Sequence, residues 1–292
     1  MTSTIRVGLA GLVVDIALRD EPATALAHVI FSRFPTVAAR DPCLRLELVG
    51  DGADQFALWR EGSPVFTATC SADAARLVLA EVIHAFASHC TAIPLLHAAA
   101  VCGSHSTILL PGTSGAGKST LCARLDNLGY ACVSDELIGI SDPCHVLAFP
   151  RPICLKPDAD RVLSGIIQDA ARTGRLLRSD EALVLSPRTA LPDPVPAPCA
   201  IVFASYAPSE PQGLQPISKA AAVVRLMGSV ANARQLPDHG FEAITNLTRT
   251  VAAYSLNHTS ADDGAKAIRA LIPQSKAALD GSNVIVSQSA AP

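Results

Sequence analysis

The sequence lacks two features that mark broad classes of protein. No block of lysine and arginine occurs among its 23 basic and 26 acidic residues, and the formal net charge is −3. This balance disfavours a nucleic-acid partner, because such partners are bound mainly through phosphate contacts. No apolar run approaches the roughly 18 residues that a membrane-spanning helix needs. The sequence therefore predicts neither a nucleic-acid nor a membrane partner.

Paired cysteines are also missing, although cysteine itself is not. The nine cysteines stand singly, with no C-x-x-C pair, as at Cys43, Cys70, Cys102 and Cys154. An odd number of isolated cysteines predicts free thiols that pack as small hydrophobic side chains. No basic segment followed by an apolar core opens the chain, so a secretion signal is not expected. Together these observations predict a soluble protein in the reducing cytoplasm.

The apolar content predicts a folded core, since 49% of the 292 residues are hydrophobic and 17% are charged. We expect a small α+β region over residues 1–91, an α/β domain over 92–272 and a loose tail over 273–292. Alternating or short apolar runs predict strands at residues 12–18, 44–49, 55–60, 65–69, 93–102, 107–110, 131–133, 138–140, 145–149 and 200–204. Helical spacing or composition predicts helices at residues 21–34, 71–89, 120–125, 158–173, 218–230, 240–253 and 260–271.

The most informative stretch is a glycine-rich loop between an apolar run and a helical segment. It fits G-x-x-x-x-G-K-[ST], with Gly112, Gly117, Lys118 and Ser119 at the fixed positions. Glycines let consecutive N–H groups curl around phosphate oxygens, and the following helix directs its positive end at the same anion. Lys118 is expected to reach the β and γ phosphates and the Ser119 hydroxyl to ligate Mg²⁺. The predicted nucleotide contacts are Gly112, Thr113, Ser114, Gly115, Ala116, Gly117, Lys118, Ser119 and Thr120.

A phosphate loop alone does not distinguish GTPases, ABC ATPases, small kinases and motors. No Asn-Lys-x-Asp run is present to recognise guanine, and residues 163–168 match the ABC signature only faintly. Three blocks in register, however, resemble the HPr kinase/phosphorylases and the HPr-kinase-related proteins. They are residues 96–101 (Leu-His-Ala-Ala-Ala-Val), the loop at 112–120, and residues 129–136 (Gly-Tyr-Ala-Cys-Val-Ser-Asp-Glu).

The resemblance implies a P-loop kinase core of the HPr kinase type that uses ATP and Mg²⁺ to phosphorylate a serine hydroxyl. It implies that Asp135 is the general base and also touches the metal, and that Glu136 helps to hold Mg²⁺ or its waters. His97 would orient the acid or contact phosphate. Arg151 is a candidate for stabilising transition-state charge or docking an acidic substrate. Members of the family form hexamers, so a homo-oligomer is compatible with the resemblance.

One departure from the family bears on the acceptor. The glycine-rich signature that follows the acid pair in the bifunctional enzymes is absent, and residues 150–156 (Pro-Arg-Pro-Ile-Cys-Leu-Lys) stand there instead. That run looks more like the HPr-kinase-related proteins, some of which are associated with peptide natural products such as lasso peptides. The resemblance therefore implies a peptide or small-protein acceptor, with HPr as one candidate.

Alternatives remain open for each candidate residue and for the function. The loop could be a glycine turn, His97 a core histidine, the acid pair a helix cap, and Arg151 a surface cation. A nucleotide-dependent switch or binding module would also need a phosphate loop, and so would a kinase of a small metabolite. We favour the serine kinase because a binding module does not need an acid pair at this spacing.

Overall fold

The computed structural model describes residues 3–38, 40–52, 54–141, 145–207 and 209–272; the tail predicted over 273–292 lies outside them. The helices are α1 (Glu21–Phe31), α2 (Ser71–His89), α3 (Lys118–Asn127), α4 (Ala159–Val162), α5 (Ser164–Arg172), α6 (Lys219–Met227), α7 (Phe241–Thr250) and α8 (Ala261–Arg269). The strands are β1 (Ser3–Leu9), β2 (Leu12–Leu18), β3 (Leu44–Gly50), β4 (Phe56–Arg60), β5 (Ser63–Ala68), β6 (Leu95–Cys102), β7 (Thr107–Pro111), β8 (Ala131–Ser134), β9 (Leu137–Ser141), β10 (His145–Leu147), β11 (Ile153–Leu155), β12 (Leu176–Arg178), β13 (Leu183–Leu185), β14 (Pro198–Tyr206), β15 (Gly213–Pro216) and β16 (Ala252–His258). The protein is thus a mixed α/β chain, as predicted.

The N-terminal layer is a sheet in the order β1-β2-β3-β4-β5, covered by α1 and α2. All neighbouring strands are antiparallel except β2 and β3, which α1 connects as a parallel crossover. Asp20 begins α1 by accepting the N–H of Ala23 at 2.8 Å and also accepts the N–H of Gly50 at 2.9 Å. One carboxylate therefore caps the helix and ties it to β3.

The central sheet positions the candidate site. Its order is β10-β9-β6-β7-β14-β16-β15, with β8 paired to β6. Strands β7, β14 and β16 are parallel, whereas β6 is antiparallel to β7, β8 and β9. Along β7, Ile108 and Leu110 pack in the core with α3 and α8, and Leu109 packs in the core with α6 and α7. The sheet is thus covered on both faces, and the three parallel strands present their carboxyl ends at one edge.

Several sequence predictions of secondary structure are wrong in the C-terminal half. The helix predicted over 240–253 ends at Thr250, because Val251 takes extended backbone (φ −108°, ψ 129°) and β16 follows. Ala252 and Ala253 favour helix locally, but pairing with β14 overrides that preference. The helix predicted over 158–173 is two helices, broken at Leu163. Strands β11, β12, β13, β15 and β16 were not predicted, and neither was β1 in the N-terminal region.

The N-terminal layer shares its core with the central sheet. Leu95, Leu137 and Phe149 belong to the same buried cluster as α1 and α2. The ring centroid of Phe149 lies 4.9 Å from that of Phe34 and 6.1 Å from that of Phe86, both edge to face. The segment that follows the acid pair therefore packs against the N-terminal helices.

None of the helices that the structure describes is long and apolar enough to cross a lipid bilayer.

Candidate active site

The glycine-rich loop joins β7 to α3 at the edge where the parallel strands end. Gly115 and Gly117 both have φ of 88°, a left-handed backbone that glycine adopts without strain. Lys118 is the first residue of α3 and is only 7% exposed. Its ammonium donates to the carbonyl of Gly112 at 2.6 Å and to that of Thr113 at 3.0 Å. The loop therefore curls around its own lysine, while Thr113, Ser114 and Gly115 are exposed at its rim.

His97 connects the loop to the acid pair. It lies on β6, where its Nδ1 is 3.0 Å from Oε1 of Glu136 and its Nε2 is 3.4 Å from Nζ of Lys118. A ring with its hydrogen on Nδ1 satisfies both contacts, because it donates to the carboxylate and accepts from the ammonium. The side chains of His97 and Glu136 are 38% and 36% exposed. The structure thus places this histidine beside the loop, facing partly to solvent.

The acid pair is held by a turn that directly follows β8. The hydroxyl of buried Ser134 accepts the N–H groups of Glu136 at 3.2 Å and Leu137 at 3.1 Å. The carbonyl of Glu136 accepts the N–H of Ala98, on β6, at 3.1 Å. The backbone of the two acids is therefore fixed against the strand that carries His97.

Asp135 and Arg151 form a buried ion pair behind this contact. Asp135 is 1% exposed, and its Oδ2 accepts the N–H of Cys154 at 2.9 Å. Nε of Arg151 lies 3.2 Å from Oδ1 of Asp135, but its hydrogen bond goes to the carbonyl of Pro152, also at 3.2 Å. Within the described residues, Oδ1 therefore has a charge partner but no hydrogen-bond donor. We call His97, Lys118, Asp135, Glu136 and Arg151 together the acid–histidine cluster.

Burial and charge shift the pKa values of Asp135, Glu136 and Lys118 in the acid–histidine cluster, and, against the effect of burial, the two acids raise the pKa of Arg151 as well. Burial raises the pKa of Asp135, although Arg151, the Cys154 N–H and the Ser119 hydroxyl act against it. Burial also acts to raise the pKa of Glu136, but the hydrogen bond from His97 and nearby cations outweigh it and lower that pKa. The pKa of Lys118 is lowered by burial, against the attraction of Glu136 and Asp135. A buried ammonium held inside a glycine loop suits an anionic ligand.

The residues predicted to hold magnesium fit that ion in part. In the described part of the chain, no group of three or more His, Cys, Asp or Glu side chains is placed to bind a metal by itself. Asp135 nevertheless offers a buried carboxylate oxygen that accepts no hydrogen bond from the described residues. The Ser119 hydroxyl is near enough to lower the pKa of the same carboxyl group. Magnesium prefers oxygen ligands and commonly takes one or two carboxylates, with phosphate and water completing the shell. The site therefore fits an ion that arrives with a phosphate ligand.

Two aromatic residues beside the loop were not predicted from the sequence. Tyr206 and His258 end β14 and β16 and are register partners across these parallel strands. A Cβ on Gly117 would lie 3.3 Å from Nε2 of His258, so the imidazole packs directly against the loop. The helix predicted over 240–253 overlaps the start of β16, so that strand was not predicted. Had 252–258 been recognised as a strand, both residues would have been expected at the edge that holds the loop.

The arrangement has the parts needed to position a phosphate chain and act at its terminal group: a loop with a lysine, a histidine-held acid, and a second acid paired to arginine. No protein-family model matches the chain, and a search of curated proteins finds no match.

Proposed function

We propose that the chain is an ATP- and Mg²⁺-dependent kinase that phosphorylates a serine hydroxyl of a peptide or small protein, like the HPr-kinase-related proteins that its motifs resemble. One observation carries the proposal: Nζ of Lys118 lies 3.4 Å from the histidine that holds Glu136, so the loop lysine and the acid pair form one cluster. Phosphoryl transfer needs positioned phosphates, neutralised charge and an acid near the attacking hydroxyl.

The loop and Lys118 bind the phosphates in this proposal. The N–H groups of residues 112–117 surround the β phosphate, and α3 directs its positive end at the same place. Lys118 exchanges the carbonyls of Gly112 and Thr113 for phosphate oxygens. Because burial lowers the pKa of Lys118, an anionic ligand would restore the preference for the charged ammonium.

Ser119 and Asp135 would hold magnesium. Glu136, which directly follows Asp135, would hold the waters bound to that ion. When bound, the ion neutralises negative charge on the phosphate oxygens. Arg151 holds the carboxylate of Asp135 in place from the buried side. That arrangement keeps Oδ1 of Asp135, which accepts no hydrogen bond from the described residues, in a fixed position.

The transfer step requires an acid to receive the serine proton. The serine oxygen attacks the γ-phosphorus, the bond to the β,γ-bridging oxygen breaks, and ADP leaves. We assign the proton to Asp135, because burial raises its pKa above the usual range of an aspartate and so makes it a stronger base. Glu136 is the alternative base, favoured by its 36% exposure and its hydrogen bond from His97. Either acid places the acceptor hydroxyl on the His97 side of the loop.

Intact-mass spectrometry of candidate acceptors tests the proposal. HPr and any short precursor peptide encoded beside this gene would be incubated with the chain, ATP and Mg²⁺. We expect one added phosphate on a serine, lost in Asp135→Asn or Glu136→Gln, whichever removes the base. The exposed helix acid Glu242, changed to Gln, is the matched control and should retain transfer.

Three results would overturn the serine-kinase proposal. Phosphate on a low-mass product would identify a metabolite kinase. ATP turnover that no acceptor changes would identify a switch. Transfer that survives both acid substitutions would remove the role of the acid pair.

A further inference from the structure

The strand order gives a bound nucleotide a direction. The acid–histidine cluster lies on the β6 side of β7, through His97 on β6 and the turn after β8. Strands β14 and β16 lie on the other side of β7 and run parallel to it. A nucleoside triphosphate with its terminal phosphate at Lys118 and the acids, and with its chain running away from them along the sheet, would extend its nucleoside over the carboxyl ends of β14 and β16.

An aromatic pair stands at those two strand ends. The ring centroids of Tyr206 and His258 are 5.9 Å apart, with the planes at 64°, edge to face. Tyr206 is 58% exposed, whereas His258 is 4% exposed. One ring is thus open to solvent and is backed by a buried ring.

His258 connects this exposed ring to the loop. Its Nδ1 lies 3.1 Å from the carbonyl of Ser260, which can only accept, so Nδ1 carries the hydrogen. Nε2 is then a buried acceptor with no hydrogen-bond partner among the described residues. This atom faces Gly117, because a Cβ there would lie 3.3 Å from it. Tyr206, His258 and the loop are therefore in continuous contact.

From this geometry we propose that Tyr206 stacks on the base of the bound nucleotide and that His258 is the positioning residue that holds the Tyr206 ring. The inference rests on the proposed function, which supplies the nucleotide. Stacking uses the π face that every base has, so this contact recognises a planar base and discriminates weakly between adenine and guanine. The loop thus binds the phosphates, and Tyr206 binds the base.

Calorimetric titration of ATP and of inorganic tripolyphosphate separates these two contributions. We expect Tyr206→Leu to weaken ATP binding about tenfold, the usual size of a lost base–aromatic stack. The same variant should bind tripolyphosphate as the wild type does. Tyr206→Phe keeps the ring and should retain ATP affinity. Phe241→Leu removes another exposed aromatic, 53% exposed on α7, and is the matched control that should change neither ligand.

The positioning role of His258 has its own readout. His258→Ala should lower the ratio of ATP affinity to tripolyphosphate affinity, because Tyr206 loses its edge-to-face support. A purely structural role would weaken both ligands equally and leave that ratio unchanged, which would overturn the positioning role.

Two outcomes separate failure of this inference from failure of the proposed function. If wild type binds both ligands and Tyr206→Leu weakens neither, or weakens both equally, base stacking is overturned while the phosphate site stands. If wild type binds neither ATP nor tripolyphosphate, the kinase proposal itself is overturned.

Discussion

Nε of Arg151 lies 3.2 Å from Oδ1 of Asp135, and the two side chains are only 6% and 1% exposed. Both charges have lost most of their contact with water, so each depends on the other. Removing one partner of such a pair leaves an uncompensated buried charge, which costs far more than losing a surface pair. The pair therefore affects stability as well as the proposed chemistry.

Arg151→Met should destabilise the fold by about 3–5 kcal/mol, because Asp135 is then buried without its cation. The double variant Asp135→Asn/Arg151→Met should recover much of that loss, since both charges are gone. Urea unfolding at pH 7 measures both. The exposed pair of Arg19 and Glu47 is the control, and Arg19→Met should leave the midpoint nearly unchanged. Equal effects of Arg19→Met and Arg151→Met would show that burial of the Arg151–Asp135 pair does not set its cost.

Glu136 should make the stability depend on pH in a defined direction. Its pKa is lowered from 4.5 in the folded state, chiefly by the His97 hydrogen bond acting against burial. A carboxyl group whose pKa is lowered on folding stabilises the fold at pH values above its unfolded-state pKa. This contribution is lost as the pH falls through the folded-state pKa. Wild type should therefore be more stable than Glu136→Gln at pH 7, by under about 1 kcal/mol after solvent screening. Urea unfolding should show a smaller stability difference between wild type and Glu136→Gln at pH 4 than at pH 7. A larger difference at pH 4 would contradict the lowered pKa of Glu136.

Gly117→Ala and Gly115→Ala form a matched pair. Both glycines have φ of 88°, so each alanine carries a left-handed strain of about 1–2 kcal/mol. A Cβ at Gly115 meets nothing within 4 Å, whereas at Gly117 it meets the His258 ring at 3.3 Å. Gly117→Ala should therefore lower the urea midpoint and ATP affinity more than Gly115→Ala does. The additional loss caused by Gly117→Ala should become smaller in a His258→Ala background. If that additional loss is unchanged, the His258 ring is not its cause.

Asn232 should be one of the costliest polar residues to remove. Its Oδ1 accepts the Leu95 N–H at 2.8 Å, and its Nδ2 donates to the carbonyls of Cys90 and Ile93 at 2.8 and 2.9 Å. Because the side chain is 1% exposed, Asn232→Ala leaves buried groups unpaired, and we expect a loss of at least about 2 kcal/mol. Asn246→Ala, on the exposed side of α7, is the control for urea unfolding. Similar midpoints for the two variants would refute the prediction.

Lys118→Met should weaken ATP and tripolyphosphate alike, by roughly 10- to 100-fold, because a charge-assisted bond to phosphate is lost. This differs from the base-selective loss expected for Tyr206→Leu. Calorimetric titration of both ligands provides the comparison. Unchanged tripolyphosphate affinity would mean that the loop lysine does not contact phosphate.

Local signals in the sequence were enough to place the loop and its neighbours. The helix of residues 71–89 has the predicted bounds, and the glycine pattern placed the turn between β7 and α3. The structure brings His97, Lys118, Asp135 and Glu136 together, as the family resemblance implied. Each of these residues lies on or beside a strand of the central sheet with a clear apolar pattern.

Features that depend on contacts between distant segments could not be predicted. The pairing of β16 with β14 joins residues about fifty positions apart and overrides the helical preference of Ala252 and Ala253. The burial of Arg151 depends on its pairing with Asp135, so composition alone could not separate it from exposed Lys156. His258 lacked any motif, and its contact with Gly117 exists only because β16 ends beside the loop.

The edge-to-face packing of Phe149 on Phe34 and Phe86 limits how this chain could be recombined. Phe149 stands two positions before Arg151, and both its aromatic neighbours belong to the first 91 residues. Exchanging that segment for a foreign domain would remove the packing partners of the stretch that leads to the buried arginine. A successful chimera would therefore have to import a matching pair of rings, so the N-terminal layer and the acid–histidine cluster are expected to be inherited together.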